Sequence, residues 1–332
     1  MKLNYKKKFV DYRINTNKKQ YIFFALFLVL AFFFLFLVAT VDQNGFANID
    51  TVWRNNKRLI FIILISSFSL GVSSFLFQNL TKNKLADSSA LGIGNINLVA
   101  LMLLIYIVDY NSSYSVSNYK YLLPFIFIIC SVLLSAAIYL LSSKRYMLSS
   151  KKLILTGILL NFVFIAVSYS FNSFLPSGKQ AIVKQYTNGF YDSSDDYYMY
   201  VAFAFFVIAM IWIFCIINKF KITSSNAEVA TQLGINVKSI NFQALLIAGI
   251  MAGISFILIG NVAFLGLIGA NAAIFLFKKN FKLGLPSSGY ISTIIVALTF
   301  LINKNIVNSN VNTSQLIPLV SSVYFFYLVI RS

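Results

Sequence analysis

Few residues in this sequence have the types and spacing to do chemistry. Asp192, Asp195 and Asp196 in "YTNGFYDSSDDYYMY" (186–200) are its one acidic cluster. A hard cation needs about six oxygens in a fixed array, so three carboxylates in a polar stretch read as a solvated acidic loop. There is no His, which removes the commonest general base and the commonest metal ligand. Cys130 and Cys215 lie inside apolar runs and read as buried membrane-helix residues rather than redox or metal groups. The pattern G-x-x-x-x-G-K-[ST] is missing, so nucleotide phosphates are not cradled by that route. These observations point to no catalytic set, metal site or cofactor. Two constellations remain. Arg54, Lys57 and Arg58 precede an apolar run, and "SSNAEVATQLGINVKSI" (224–240) interrupts two others with a single carboxylate, Glu228.

The elements that must position these residues are apolar. The chain is 59% hydrophobic and 11% charged, with mean hydropathy +0.79. Soluble domains carry about 25% charge, so the main solvent is the lipid bilayer. Runs at 21–41, 59–78, 91–108, 122–142, 153–175 and 197–217 each approach the roughly 20 residues of one crossing. Residues 239–277 contain no charge. As a helix that stretch would extend about 58 Å, nearly two crossings of a core of about 30 Å. A reversal is therefore expected inside it, at Gly260-Asn261. With 284–302 and 313–330 the total is ten. The expected fold is an all-α polytopic membrane protein. It comprises a basic tail (1–20) and one transmembrane domain (21–332), with a polar loop at 218–240.

Charge decides the orientation. Twenty Lys/Arg fall on the side that carries the N-terminus and seven on the other, so the first side is cytoplasmic by the positive-inside rule. Both termini and the loop 218–240 then face the cytoplasm of a multi-pass cell-membrane protein. The net charge of +18 needs no nucleic acid to explain it. Within the loop, Ser225 and Glu228 have the spacing of a capping box. Ala227, Ala230, Thr231, Gln232 and Leu233 continue a short helix, and Gly234 stops it.

That helix resembles the cytoplasmic loop of FecCD-type permeases, the membrane subunits of ABC importers for iron–siderophore, haem and vitamin B12. Their E-x-A-x-x-L-G-[VI] pattern appears here as Glu228, Ala230, Leu233, Gly234 and Ile235. "QNLTKNKLADSSALGIGN" (78–95) is similar to their Q-x-x-x-x-N-P-L-A-x-P-x-x-L-G. "KKLILTGILLN" (151–161) resembles R-L-I-L-A-G-x-x-x-N, "AFLGLIGANAA" (263–273) resembles G-F-V-G-L-I-V-P-H, and "YFFYLVIR" resembles P-F-F-x-Y-L-L-x-R. Lys84 stands where the family has Pro, the Pro-His pair is missing at 269–271, and E-[LI]-P-x-G is not visible before the last run.

The resemblance implies a type II importer permease of ten helices that pairs with a second permease subunit, the path lying between them. Separate ATPases would dock on Ser225, Glu228, Ala230, Thr231, Gln232, Leu233 and Gly234. An extracellular substrate-binding protein would meet Arg54, Lys57 and Arg58. Path candidates are Ser66, Ser67, Ser69, Ser73, Ser74, Asn161, Ser168 and Asn172; such residues face protein or water rather than lipid, or bond a neighbouring helix. The expected cargo is an iron chelate, with haem and vitamin B12 as alternatives. A secondary carrier is disfavoured because no ionisable residue is expected mid-span.

Overall fold

The computed structural model describes all residues except 1, 43–44, 47–48, 108–120, 144–148, 189–195, 279, 306–314, 320–321 and 323–332, and the side chains of 2–17, 42, 45–46, 49–55 and 90 are likewise left aside. The elements are almost all helical. Helix α1 (Lys2–Thr40) carries the basic tail and the first span as one helix, and α2 is Ile49–Thr81. A two-residue hairpin, β1 (Val41–Asp42) paired antiparallel with β2 (Gly45–Phe46), joins them. After a 3-10 turn (Ser88–Leu91) come α3 (Ile93–Ile107), α4 (Leu123–Ser142), α5 (Ser150–Phe174), α6 (Ser177–Asn188) and α7 (Asp196–Ser225). Then follow α8 (Ala227–Gln232), α9 (Val237–Ile259), α10 (Leu265–Phe277) and α11 (Phe281–Asn305), and residues 315–319 are also helical. Nine of the ten expected runs are helices; the tenth, 313–330, lies largely outside the described residues.

Among the described residues, seven helices are long and apolar enough to cross a membrane. At 1.5 Å per residue, α3 with 15 residues and α10 with 13 extend only about 22 and 20 Å, short of the core. The expected reversal is present. Gly260 ends α9 with φ of 72°, and α10 starts at Leu265.

Burial sorts the helices into layers. In an apolar 18-residue stretch of α2 and of α9, 83% and 78% of residues are buried, against 11% in α5. The core is therefore α2 and α9, with α10 and α11 packed on α2 and on each other. The apolar flanks of α1, α4, α5 and α7, with Phe33, Leu133, Phe162 and Ile208 all exposed, present side chains suited to lipid. Small residues permit the closest approach. A Cβ on Gly253 would lie 2.7 Å from Ser131 Oγ of α4, and one on Gly249 would lie 3.0 Å from Ser131 O. This small-xxx-small pair lets α9 pack directly on the α4 backbone.

Polar contacts respect two membrane sides. Gln20 at the head of the first apolar run donates to Phe277 O (3.2 Å), Tyr139 Oη donates to Lys238 O (2.8 Å), and Ser150 Oγ donates to Leu80 O (3.5 Å). At the opposite ends, Asn56 donates to Ala39 O (2.9 Å) and Tyr197 Oη to Tyr121 O (3.2 Å). Every pair joins segments that charge counting had assigned to one face.

Candidate functional site: a surface knuckle, an asparagine-floored cavity and a buried aspartate

The polar loop between α7 and α9 folds as two capped turns. Ser225 is the last residue of α7 and donates to Lys221 O (2.8 Å), so it does not cap α8. Asn226 does. Its backbone is extended, and its Oδ1 accepts from Glu228 N (2.9 Å) and Val229 N (3.3 Å). Asn is at least as good an N-cap as Ser, and α7 simply runs one residue further than the capping-box reading allows. The other end closes as a Schellman motif. Ile235 N donates to Ala230 O (2.9 Å) and Gly234 N to Thr231 O (3.0 Å), with Gly234 at φ of 74°. A side chain there would meet no neighbour but would strain that backbone.

This geometry decides which residues a partner could touch. Ala230 is completely buried, turned into the protein rather than outward. Glu228, Thr231, Gln232 and Gly234 are exposed, together with two large apolar side chains, Val229 (44% exposed) and Leu233 (63%). The knuckle thus offers apolar knobs, not the face of small residues that its composition suggests.

At the far face, Arg58 Nε lies 3.5 Å from Asp196 Oδ1 in the first turn of α7. Lys57 is exposed, and Arg54 lies on α2 with its side chain outside the described set. Asp192 and Asp195 also lie outside it, so the acidic loop is represented by Asp196 alone. Among the described residues no His/Cys/Asp/Glu group could hold a metal.

The path candidates divide into two sets. Ser66, Ser67, Ser69, Ser73 and Ser74 of α2 are all fully buried. Ser66 donates to Ile62 O (2.6 Å), Ser67 to Thr293 Oγ1 (3.0 Å) and Ser73 to Ala248 O of α9 (2.6 Å). They line the packed seams between helices and not the cavity described next. Ser66, Ser67 and Ser73 return their hydrogen bonds to carbonyls while two backbones approach.

Ser168 and Asn172, by contrast, open on a cavity of about 550 Å³ between α3, α5, α6 and the α9–α10 turn. Three asparagines join the helices at its edge: Asn95 donates to Asn161 Oδ1 (2.6 Å) and accepts from Asn261 Nδ2 (3.4 Å). Helix α6 closes the other side. Lys179 Nζ donates to Ile105 O at the end of α3 (3.3 Å), and Gln180 bridges Leu175 O (2.8 Å) and Asn172 O (3.1 Å). Tyr186 packs against Phe127 and Phe256, and Asn261 N donates to its carbonyl (3.0 Å). The aromatic contacts contribute about 0.5–1.5 kcal/mol each beyond area. Ser168 Oγ and Asn172 Oδ1 are buried atoms with no hydrogen-bond partner.

Asp87 is a buried acid that lies between α2 and α3, outside the spans. Counted as cytoplasmic, it is only 2% exposed, because residues 82–92 fold back along α10 instead of forming a surface loop. Asn271 of α10 donates to Lys84 O (2.7 Å), and Asp87 accepts from Ser74 Oγ (2.5 Å), Phe264 N (3.1 Å) and Ser89 Oγ. Phe264 is the N-cap of α10, so the carboxylate also meets the positive end of that helix. Hydroxyl and N–H donors take the place of water around it.

These features define a polytopic helical membrane permease: a packed inner core, lipid-suited flanks, a capped surface knuckle and a polar cavity beside its least buried span. The chain belongs to the FecCD transport family, whose model matches residues 21–331. It is similar to the petrobactin import system permease protein YclO of Bacillus subtilis (strain 168), at 23% identity over 85% of this chain and 89% of that protein. It is also similar to the iron(3+)-hydroxamate import system permease protein FhuG of the same organism, at 24% identity over 83% and 82%. Among solved structures, an ABC transporter assigned to the metal-chelate type, in an inward-facing conformation, superposes with TM-score 0.78 at 16% identity, covering 96% of this chain and all of that one. PsaBC from Streptococcus pneumoniae, solved with a Fab, gives 0.56 at 15% identity, covering 82% and 89%.

Proposed function

We propose that this chain is the membrane-spanning permease subunit of an ATP-driven importer of an iron chelate. Energy comes from a separate ATPase that grips the knuckle at 225–234 on the cytoplasmic face, with both termini on that face. Membership of the FecCD family carries this reading; the petrobactin and iron-hydroxamate import permeases among its relatives favour a ferric chelate over haem or vitamin B12. The knuckle supports coupling because it is rigidly capped at both ends and hangs directly from α7 and α9. A push on it is transmitted as tilt of those helices, the rigid-body form of alternating access. Arg54, Lys57 and Arg58 are the docking cations for a substrate-binding protein. The exposed face of α5, with Ser168 and Asn172 behind it, faces a second permease subunit across the path. Asn161 ties α5 to α3 at the floor of that path.

Affinity purification from the native membrane tests the reading. The account expects an ATPase in about equal amount with the permease, and ATP-dependent accumulation of a ferric chelate by the reconstituted complex. Chelate accumulation that persists without any ATPase would contradict it.

A further inference from the structure

The cavity beside α5 has a charge character that nothing above has used. Its described lining contains a single formal charge, the Lys184 ammonium on α6, and no carboxylate. The remaining polar groups are neutral hydroxyls and amides, among them the Ser168 hydroxyl and the Asn172 amide, each with a buried atom lacking a partner. Ser168 itself is 9% exposed and opens on the cavity. Asp196, at the start of α7, is engaged by Arg58.

We infer that this cavity favours metal chelates carrying net negative charge over neutral ones of the same size. The inference deepens, and rests on, the reading of the cavity as part of the import path. A volume of about 550 Å³ is that of a drug-sized ligand. Lys184 is exposed to solvent as well as lining the cleft, so its ammonium steers anions toward the cleft by an attraction that salt screens. An anionic chelate is drawn in by Lys184 and meets the neutral Ser168 and Asn172 groups along the α5 wall. A neutral chelate gains only the hydrogen bonds. Attraction from one lysine remains weak enough for release, which a path requires.

The test uses the complete complex in proteoliposomes, with permease, ATPase and one unchanged binding protein. Two probes of similar size are compared: a ferric tricatecholate of charge about −3 and a neutral ferric trihydroxamate. In K184E, uptake of the anionic chelate should fall about tenfold or more while that of the neutral one changes less than about twofold. K184R should restore both. Uptake confined to the anionic chelate, lost in K184E and restored in K184R, supports the inference equally. Equal effects of K184E on both probes, or uptake of the neutral one alone, would overturn it and leave the permease reading standing. Uptake of neither probe by an assembled, ATP-hydrolysing complex would overturn both.

Discussion

Replacing Leu233 by Asp is expected to separate the permease from its ATPase. Leu233 is the most exposed large apolar side chain on the knuckle, 63% exposed, and sits between the α8 cap and Gly234. Buried in a partner's groove, an exposed leucine contributes about 1.5–3 kcal/mol through the apolar area it removes from water. An aspartate at the same place would carry an unpaired charge into a dry contact, at a cost of about 3–5 kcal/mol. That is roughly a hundredfold or more in affinity. Co-purified ATPase should fall below about one hundredth of the wild-type amount, and chelate uptake with it. The chain itself should remain folded, since the Asn226 and Gly234 caps are untouched. Glu228→Gln is the contrasting variant. Its charge at a helix start is worth about 0.3–1 kcal/mol, so association should change by only a few fold. Unaltered ATPase recovery with Leu233→Asp would remove the knuckle from the interface.

Asp87→Ala is expected to damage the fold rather than the partner contact. The carboxylate gathers Ser74, Ser89 and the N–H that opens α10. Truncation removes all three bonds and leaves Ser74 with Ser88 Oγ (2.9 Å) and Phe264 N with Ser89 Oγ (3.3 Å) as their remaining partners. Each lost bond costs about 1 kcal/mol, and more where the group is buried. A total of roughly 3 kcal/mol or more follows, among the larger effects of single substitutions. Thermal unfolding of the detergent-solubilised protein should show a midpoint lower by about 6 °C or more, using about 2–4 °C per kcal/mol. Asp87→Asn should recover only part of the loss, because an amide presents one acceptor oxygen where the carboxylate presents two. A midpoint within a degree of wild type for Asp87→Ala would show that the buried carboxylate does not hold residues 82–92 to α10.

Much of the architecture was legible because its signals are long. Apolar runs near twenty residues, the sign of charge at their ends, and a glycine inside an overlong run are read without tertiary information, and α1, α2, α4, α5, α7, α9 and α11 follow them. What was not legible depended on contacts distant in sequence. Asp87 counts as a loop acid until the chain is seen to fold back along α10. Helix α6 has a mixed composition after Pro176, and its order comes from Tyr186 packing on Phe127 and Phe256 and from Lys179 reaching α3. The exchange of Ser225 for Asn226 as cap is a one-residue extension of α7, within the usual uncertainty of helix ends.

The candidate site divides along the same line. Ser168 and Asn172 reach the cavity, but five serines on α2 that look equally polar in the sequence are helix packing. Spacing cannot separate the two, since both sets recur on one side of a helix. Asn95 and Asn261 each sit one residue from a glycine, which was the only local sign that they mark a break. Two departures from the family pattern have a shared explanation. Where that pattern ends in Pro-His, this chain has Ala270 and Asn271; where it has Pro before the Leu-Ala pair, this chain has Lys84. Asn271 Nδ2 donates to the Lys84 carbonyl at 2.7 Å, so the two altered positions meet and hold the folded-back segment together.

The central claim is that the knuckle faces the cytoplasm and is covered there by a separate ATPase. Thr231 is exposed at its tip and suits a reporter. With Cys130 and Cys215 replaced by Ser, a Thr231→Cys variant can be challenged with a membrane-impermeant maleimide in intact cells and in inside-out vesicles. The account predicts labelling in vesicles stripped of ATPase, protection when the ATPase is added back, and no labelling in intact cells. Labelling of intact cells, or labelling of stripped vesicles that added ATPase leaves unchanged, would contradict it.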